Sequence, residues 1–264
     1  MNPLIVAGFH RSGTSAIARS LHLAGLFLGD DLLGSEPSNP YGHFEDNEVI
    51  SIHQEILELS GTDWKSREPF DTYVPGRIWD SMRQFVASRN ARHESTGEPW
   101  GFKDPRVCLL LPIWLHLVPE AEILIVFRNP SECVRSLHMR HSRQLAAQRG
   151  PGLVHRDFWS ITDLGVRMWI NYHRVLLSSL PDQAHVHAVD FSDRAAVGGI
   201  VSTVNDRWDL GLDPAHETAL DPSLGGSRVD PIRVIDATLI AEATSIWRQL
   251  QALASSSAEL VASA

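Results

Sequence analysis

The stretch "LIVAGFHRSGTSAIARSLHLAGLFLG", residues 4–29, decides how the chain is to be read. Four apolar residues, Leu4-Ile5-Val6-Ala7, form a short continuous run of the kind found in a parallel strand covered on both faces. Gly8 and Gly13 bracket a turn, and from Thr14 the apolar residues Ile17, Leu21 and Ala24 fall on one helical face. Strand, glycine-bearing turn and helix start together make an anion site, because backbone N–H groups point into the turn and the helix dipole adds partial positive charge. A nucleoside-triphosphate loop reads G-x-x-x-x-G-K-[ST], with its lysine on the terminal phosphates. Here Thr14 stands at the lysine position, Ser15 follows, and the nearby cation is Arg11, inside the turn. Arg11 brings a planar fork suited to an oxyanion, and Thr14 and Ser15 bring hydroxyl donors.

Outward from that turn, strand and helix patterns alternate. Strands are expected at residues 3–9, near Phe102, over 123–127 and in "HVHAVDF" (185–191); helices are expected at 14–26, 47–59, 76–91, up to Leu117, from Pro130, and at 155–180, 195–207 and 232–253. Pro130 suits the first turn of its helix. The order predicts an α/β fold with a central parallel sheet flanked by helices in three layers. Residues 30–46 are crowded with turn formers and fit no single element. No internal repeat or long linker divides the chain.

At 264 residues the chain can bury a sizeable core, and 43% hydrophobic with 21% charged residues is a globular composition. A net charge of -9 argues against a general nucleic-acid binder while leaving room for a local cationic pocket. Cys108 and Cys133 read as buried thiols, not a disulfide framework. The N-terminus lacks a secretory pattern and no apolar stretch reaches membrane-spanning length, so a cytoplasmic protein is expected. Thirteen histidines include the close pairs His138/His141 and His185/His187, but no cysteine or carboxylate set completes a ligand group, so no metal is expected.

A second turn supports the first. Arg128 stands at the end of the strand 123–127, followed by Asn129-Pro130, with Ser136 two turns into the next helix. Ligands gather at the C-terminal ends of parallel strands, so this arginine and serine can grip a second phosphate beside the first. Together, "GFHRSGTS" and "FRNPSECVRSL" resemble the two nucleotide motifs of the sulfotransferases that use 3′-phosphoadenosine 5′-phosphosulfate (PAPS). The resemblance extends to "NPYGHFED" and "WGFKDPR", which bacterial members carry in similar order, and covers about residues 1–180. It implies a fold like that of P-loop nucleotide hydrolases. With no dividing linker, a single domain is expected over residues 1–254, and the Ser/Ala-rich tail over 255–264 is expected to fray. The resemblance implies that Arg11, Ser12, Gly13, Thr14 and Ser15 contact the 5′-phosphosulfate and that Arg128 and Ser136 hold the 3′-phosphate. Arg228, in a late loop, is added to the 3′-phosphate site on the same likeness.

Sulfuryl transfer moves a group less charged than phosphoryl, and positioning plus neutralisation of the departing oxygen suffices for it. Arg11 and Lys103 are the cations for that work, with no magnesium. An acceptor hydroxyl also needs a general base. Glu45, Asp46, His43, Asp104 and His10 are candidates; relatives place a histidine two residues after the lysine matching Lys103, where this chain has Pro105, and bacterial relatives use a glutamate, which favours Glu45. Asp104 is the second choice, and a capping role for Glu45 or Asp46 at the helix from Asn47 is the competing structural reading. The expected acceptor is a small molecule, lipid or carbohydrate, with residues 30–75 and 140–160, which flank the motifs, building its pocket. The alternatives are a P-loop kinase using ATP and magnesium, and a non-catalytic module that binds the desulfated nucleotide PAP.

Overall fold

The computed structural model describes residues 1–35, 39, 41–150, 152–216 and 233–262. In chain order the elements are β1 (Leu4–Ala7), α1 (Thr14–Leu23), α2 (Asn47–Leu59), α3 (Gly76–Thr96), β2 (Gly101–Lys103), α4 (Val107–Leu117), β3 (Glu122–Phe127) and α5 (Pro130–Ala146). Then follow α6 (Gly152–Ser160), α7 (Leu164–Ser178), β4 (Val186–Asp190), α8 (Arg194–Gly198), α9 (Ile200–Trp208) and α10 (Thr238–Ala262). The four strands form one parallel sheet in the order β2-β1-β3-β4.

The β1 run is apolar throughout because both faces of the sheet are covered. Ile5 and Ala7 join Ile123, Ile125 and Phe127 under a layer containing α2, α3, α4, α7 and α10. Leu4 and Val6 join Leu124, Val126 and Val189 under α1 and α9. Side chains of a strand alternate between faces, so one four-residue segment feeds two cores. That is the three-layer α/β arrangement expected from the alternation of elements.

The chain leaves β1 for β2 on one side and returns to β3 on the other, which opens a crevice at the C-terminal ends of β1 and β3. Register pairs Ala7 with Ile125 and Val6 with Lys103, so the turns after β1, β2 and β3 emerge side by side.

Three expectations need correction. The helix read over 195–207 is two, α8 and α9, which meet at Gly199. The helix read over 155–180 is broken: α6 ends at Ser160, and Asp163 sits in left-handed backbone (φ 55°) before α7. The Asp163 carboxylate accepts from the backbone N–H groups of Ile235 and Asp236, so a distant segment fixes the break. The Ser/Ala-rich end continues α10 to Ala262 instead of fraying, and Ser257 Oγ accepts from the Ala188 N–H of edge strand β4 at 3.2 Å. No described helix is long and apolar enough to cross a membrane.

Candidate active site

The turn after β1 is built around two glycines and a strained arginine. Gly13 (φ 99°) caps α1 and Arg11 (φ 68°) also takes left-handed backbone. A Cβ on Gly13 would lie 2.2 Å from the Phe191 ring, and one on Gly8 would lie 2.2 Å from the Val126 carbonyl oxygen. No side chain caps α1 and its first turn holds no acid, so its leading N–H groups have no side-chain acceptor of their own, the arrangement that suits an anion at a helix start. Ser12, wholly buried, has a hydroxyl with no partner among the described residues.

The turn after β3 faces this one. Asn129 caps α5 by accepting from the Ser131 N–H at 3.0 Å, with Pro130 in the first helical position. Arg128 Nε donates to Glu132 Oε2 at 2.6 Å, one helical turn on. Arg11 Nε donates to Ser136 Oγ at 2.9 Å, so the two motifs touch. Between them opens a cleft of about 740 Å³ lined by Arg11, Arg128, Arg135, Arg140, Arg143 and Arg149, with Glu132 as its one acid among the described residues. Gly13, Thr14, Ser15 and Ser136 line the same cleft. Burial lowers the Arg11 guanidinium from its ordinary value, helped by Arg140 and Arg128.

The end of β2 supplies the lysine that the first loop lacks. Lys103, only 2% exposed, closes β2 and donates to Ser15 Oγ at 3.1 Å, the His43 carbonyl at 3.1 Å and Glu45 Oε1 at 2.5 Å. Burial raises the Glu45 carboxyl above its ordinary value, against the opposing pull of Lys103. The neighbouring carboxylate has a different job: Asp46 caps α2 by accepting from the Glu48 N–H at 2.9 Å and pairs with Arg89. The two adjacent acids thus differ: Asp46 caps the helix, and Glu45 pairs with Lys103.

Asp104 is fully buried and saturated. It accepts from His53 Nδ1 at 3.0 Å and from Arg106 through the backbone N–H and the guanidinium. Trp114 Nε1, which can only donate, reaches His53 Nε2 at 2.7 Å, so His53 is neutral and its Nδ1–H points at Asp104. Burial alone would raise the Asp104 carboxyl, but Arg106 and His53 outweigh it and hold it well below the usual carboxylate range. His10 lies 3.3 Å from the Tyr172 hydroxyl, which donates to the Trp64 carbonyl; burial lowers its imidazole well below the ordinary value.

The structure therefore gathers Arg11, Gly13, Thr14, Ser15, Arg128 and Ser136 on one cleft, tucks Ser12 behind it, and ties Lys103 and Glu45 to it through Ser15. Asp104 belongs to a separate buried network, and Arg228 lies outside the described residues. His141 pairs with His155 and His185 with Glu122, so neither close histidine pair joins its sequence neighbour. Sequence reasoning missed Phe191, which nothing local marks, and the arginines of α5, whose spacing of three to five residues in "RNPSECVRSLHMRHSR" was a readable signal.

A sequence profile described as the sulfotransferase family matches residues 3–195. The chain belongs to the sulfotransferase family. No curated protein matches this sulfotransferase. Among solved structures, it is similar to the sulfotransferase domain from the curacin biosynthetic pathway, at 15% identity with a TM-score of 0.49, covering 95% of this chain and 97% of that one. It is also similar to a sulfotransferase from Alicyclobacillus acidocaldarius, at 16% identity with a TM-score of 0.46 and 96% of each chain covered.

Proposed function

We propose that this sulfotransferase moves a sulfuryl group from PAPS to a hydroxyl or amine of a small-molecule, lipid or glycan acceptor without a metal ion. The observation that carries the reading is the placement of the Lys103 ammonium, which bonds both Ser15 of the first loop and Glu45. One cation then serves the loop where the donor's charge is held and the carboxylate that takes a proton.

The donor set fits a sulfonated, doubly phosphorylated nucleotide. The buried Ser12 hydroxyl is unpartnered among the described residues, the start of α1 is uncapped, and arginines dominate the cleft of a chain whose net charge is -9. Arg11, Ser12, Gly13, Thr14 and Ser15 hold the 5′-phosphosulfate, and Arg128 and Ser136 hold the 3′-phosphate. When bound, PAPS supplies an activated sulfuryl group and departs as PAP. Lys103 and Arg11 keep fixed positive charge beside the loop, where negative charge has to be neutralised, and this is work a divalent ion does in phosphoryl transfer. Glu45, with its proton affinity raised by burial, accepts the proton of the acceptor hydroxyl. Asp104 orients Arg106 and His53 and does not exchange protons near neutrality.

The test is calorimetric titration with PAP and with ATP, each with and without magnesium, followed by transfer assays with PAPS. Tight, magnesium-independent PAP binding together with turnover is the expected result. Magnesium-dependent ATP binding that exceeds PAP binding would replace this reading with a kinase, and PAP binding without transfer to any acceptor would reduce it to a binding module.

A further inference from the structure

The cleft runs well past the nucleotide motifs, and its far half is as cationic as its near half. One face of α5, from Glu132 through Ser136 and Arg140 to Arg143 and Ala147, lines it. At about 1.5 Å of rise per residue, Arg143 lies about 10 Å and Ala147 about 16 Å along the helix axis beyond Ser136. Arg143 and Arg149 line this end, both exposed, and no carboxylate among the described residues pairs with either. The chain carries 32 acids against 23 Lys and Arg, yet the cleft's one described acid, Glu132, is taken by Arg128.

The corner that carries Arg149 is held in place. Its N–H donates to the Gln144 carbonyl at 3.0 Å, and its own carbonyl lies 2.9 Å from His155 Nε2. A carbonyl only accepts, so His155 carries its proton on Nε2, and its Nδ1 accepts from His141 Nδ1 at 2.9 Å. The His141 ring is stacked on Phe158 at 4.0 Å. Two buried imidazoles thus fix the backbone from which an exposed guanidinium projects into the cleft.

Resting on the PAPS reading above, we propose that the distal half of the cleft is a second anion subsite, in which Arg143 and Arg149 hold an oxyanion of the acceptor. The acceptor class is then a small molecule that carries a phosphate, sulfate or carboxylate besides the hydroxyl to be sulfated. Guanidinium forks lining one end of a cleft suit such a group, and its charge gives the acceptor a reason to enter beside the nucleotide.

The experiment titrates PAP-saturated protein with glycerol 3-phosphate, with inorganic phosphate and with glycerol, and repeats each titration on the Arg143→Ala/Arg149→Ala double variant. Expected is saturable binding of glycerol 3-phosphate, none of glycerol, and at least a tenfold loss in the double variant while PAP affinity changes less than twofold. Because both positions are exposed, an unchanged melting temperature in the double variant accompanies that result. Absence of a second binding event overturns the subsite, as does binding of inorganic phosphate with glycerol 3-phosphate excluded. A tenfold loss of PAP affinity in the double variant also overturns it and assigns the arginines to the nucleotide. Failure of the unchanged protein to bind PAP sinks the donor reading separately; phosphate titrations of nucleotide-free protein then report on Arg143 and Arg149 by themselves.

Discussion

Arg11 Nε donates to Ser136 Oγ across 125 positions of sequence, joining the turn after β1 to the second turn of α5. Arg11 reaches that hydroxyl from left-handed backbone (φ 68°), a conformation that costs a side-chain-bearing residue about 1–2 kcal/mol. The contact sets the guanidinium between the sites read for the two ends of the nucleotide.

Replacing Arg11 separates its charge from its backbone. Arg11→Ala is expected to cut turnover with PAPS by roughly 10²–10³, the loss typical of a donor aimed at developing negative charge. Arg11→Gly should be equally inactive yet melt higher than Arg11→Ala, because glycine accepts a positive φ without strain. Steady-state kinetics and thermal melts check both statements, and undiminished turnover in either variant removes Arg11 from the chemistry.

Gly13→Ala puts a Cβ 2.2 Å from the Phe191 ring and a side chain at φ 99°. Overpacking costs about 1–3 kcal/mol, with backbone strain added. A double-mutant cycle with Phe191→Ala should show strong coupling, since removing the ring relieves the clash but not the strain. Additive effects in denaturant melts would mean that the ring does not seat on the glycine.

Glu45→Gln is expected to keep PAP affinity and to lower turnover by roughly 10²–10⁴. A base works deprotonated, and burial raises the Glu45 carboxyl above 4.5, so activity is lost as pH falls through that elevated value. In kcat against pH, the acid limb of the parent should lie above the ordinary glutamate range. The residual rate of the variant should lack that limb; a limb that persists unchanged belongs to another group.

Asp104→Asn leaves the part-buried Arg106 without its counter-charge and should cost about 3 kcal/mol of stability. The folded-state carboxyl titrates below its ordinary 3.8, so its stabilisation is complete above that value and is lost as pH falls further. The difference in unfolding free energy between parent and variant should therefore be flat near neutrality and shrink on acidification below pH 3.8. A difference that grows on acidification contradicts the assignment of Asp104 as an anchoring ion.

What the sequence disclosed follows physical range. The helix Asn47–Leu59 was legible to the residue because Asp46 caps it and its apolar spacing is regular. The turns at Gly13 and Arg128 were legible because strand ends, glycine and Pro130 are local signals. The break between α6 and α7 was not, since residues 161–163 hold no proline or glycine and the Asp163 carboxylate is held by residues 235 and 236. The convergence of Lys103 with Ser15 and Glu45, 88 and 58 positions away, depends on which strands are neighbours. Motif likeness pointed at these residues, but only register places them together. Which of the adjacent acids Glu45 and Asp46 caps α2 was left open by the sequence, because they look alike until one finds a lysine and the other a helix end.

The seat of Phe191 against Gly13 has a bearing on biogenesis. A growing polypeptide that has reached α5 already contains both turns, Gly13 and Arg128 with Ser136, but it lacks the aromatic ring that sits against the first of them. The packing of the first turn is thus completed late in synthesis, once the fourth strand and Phe191 behind it have been made and docked.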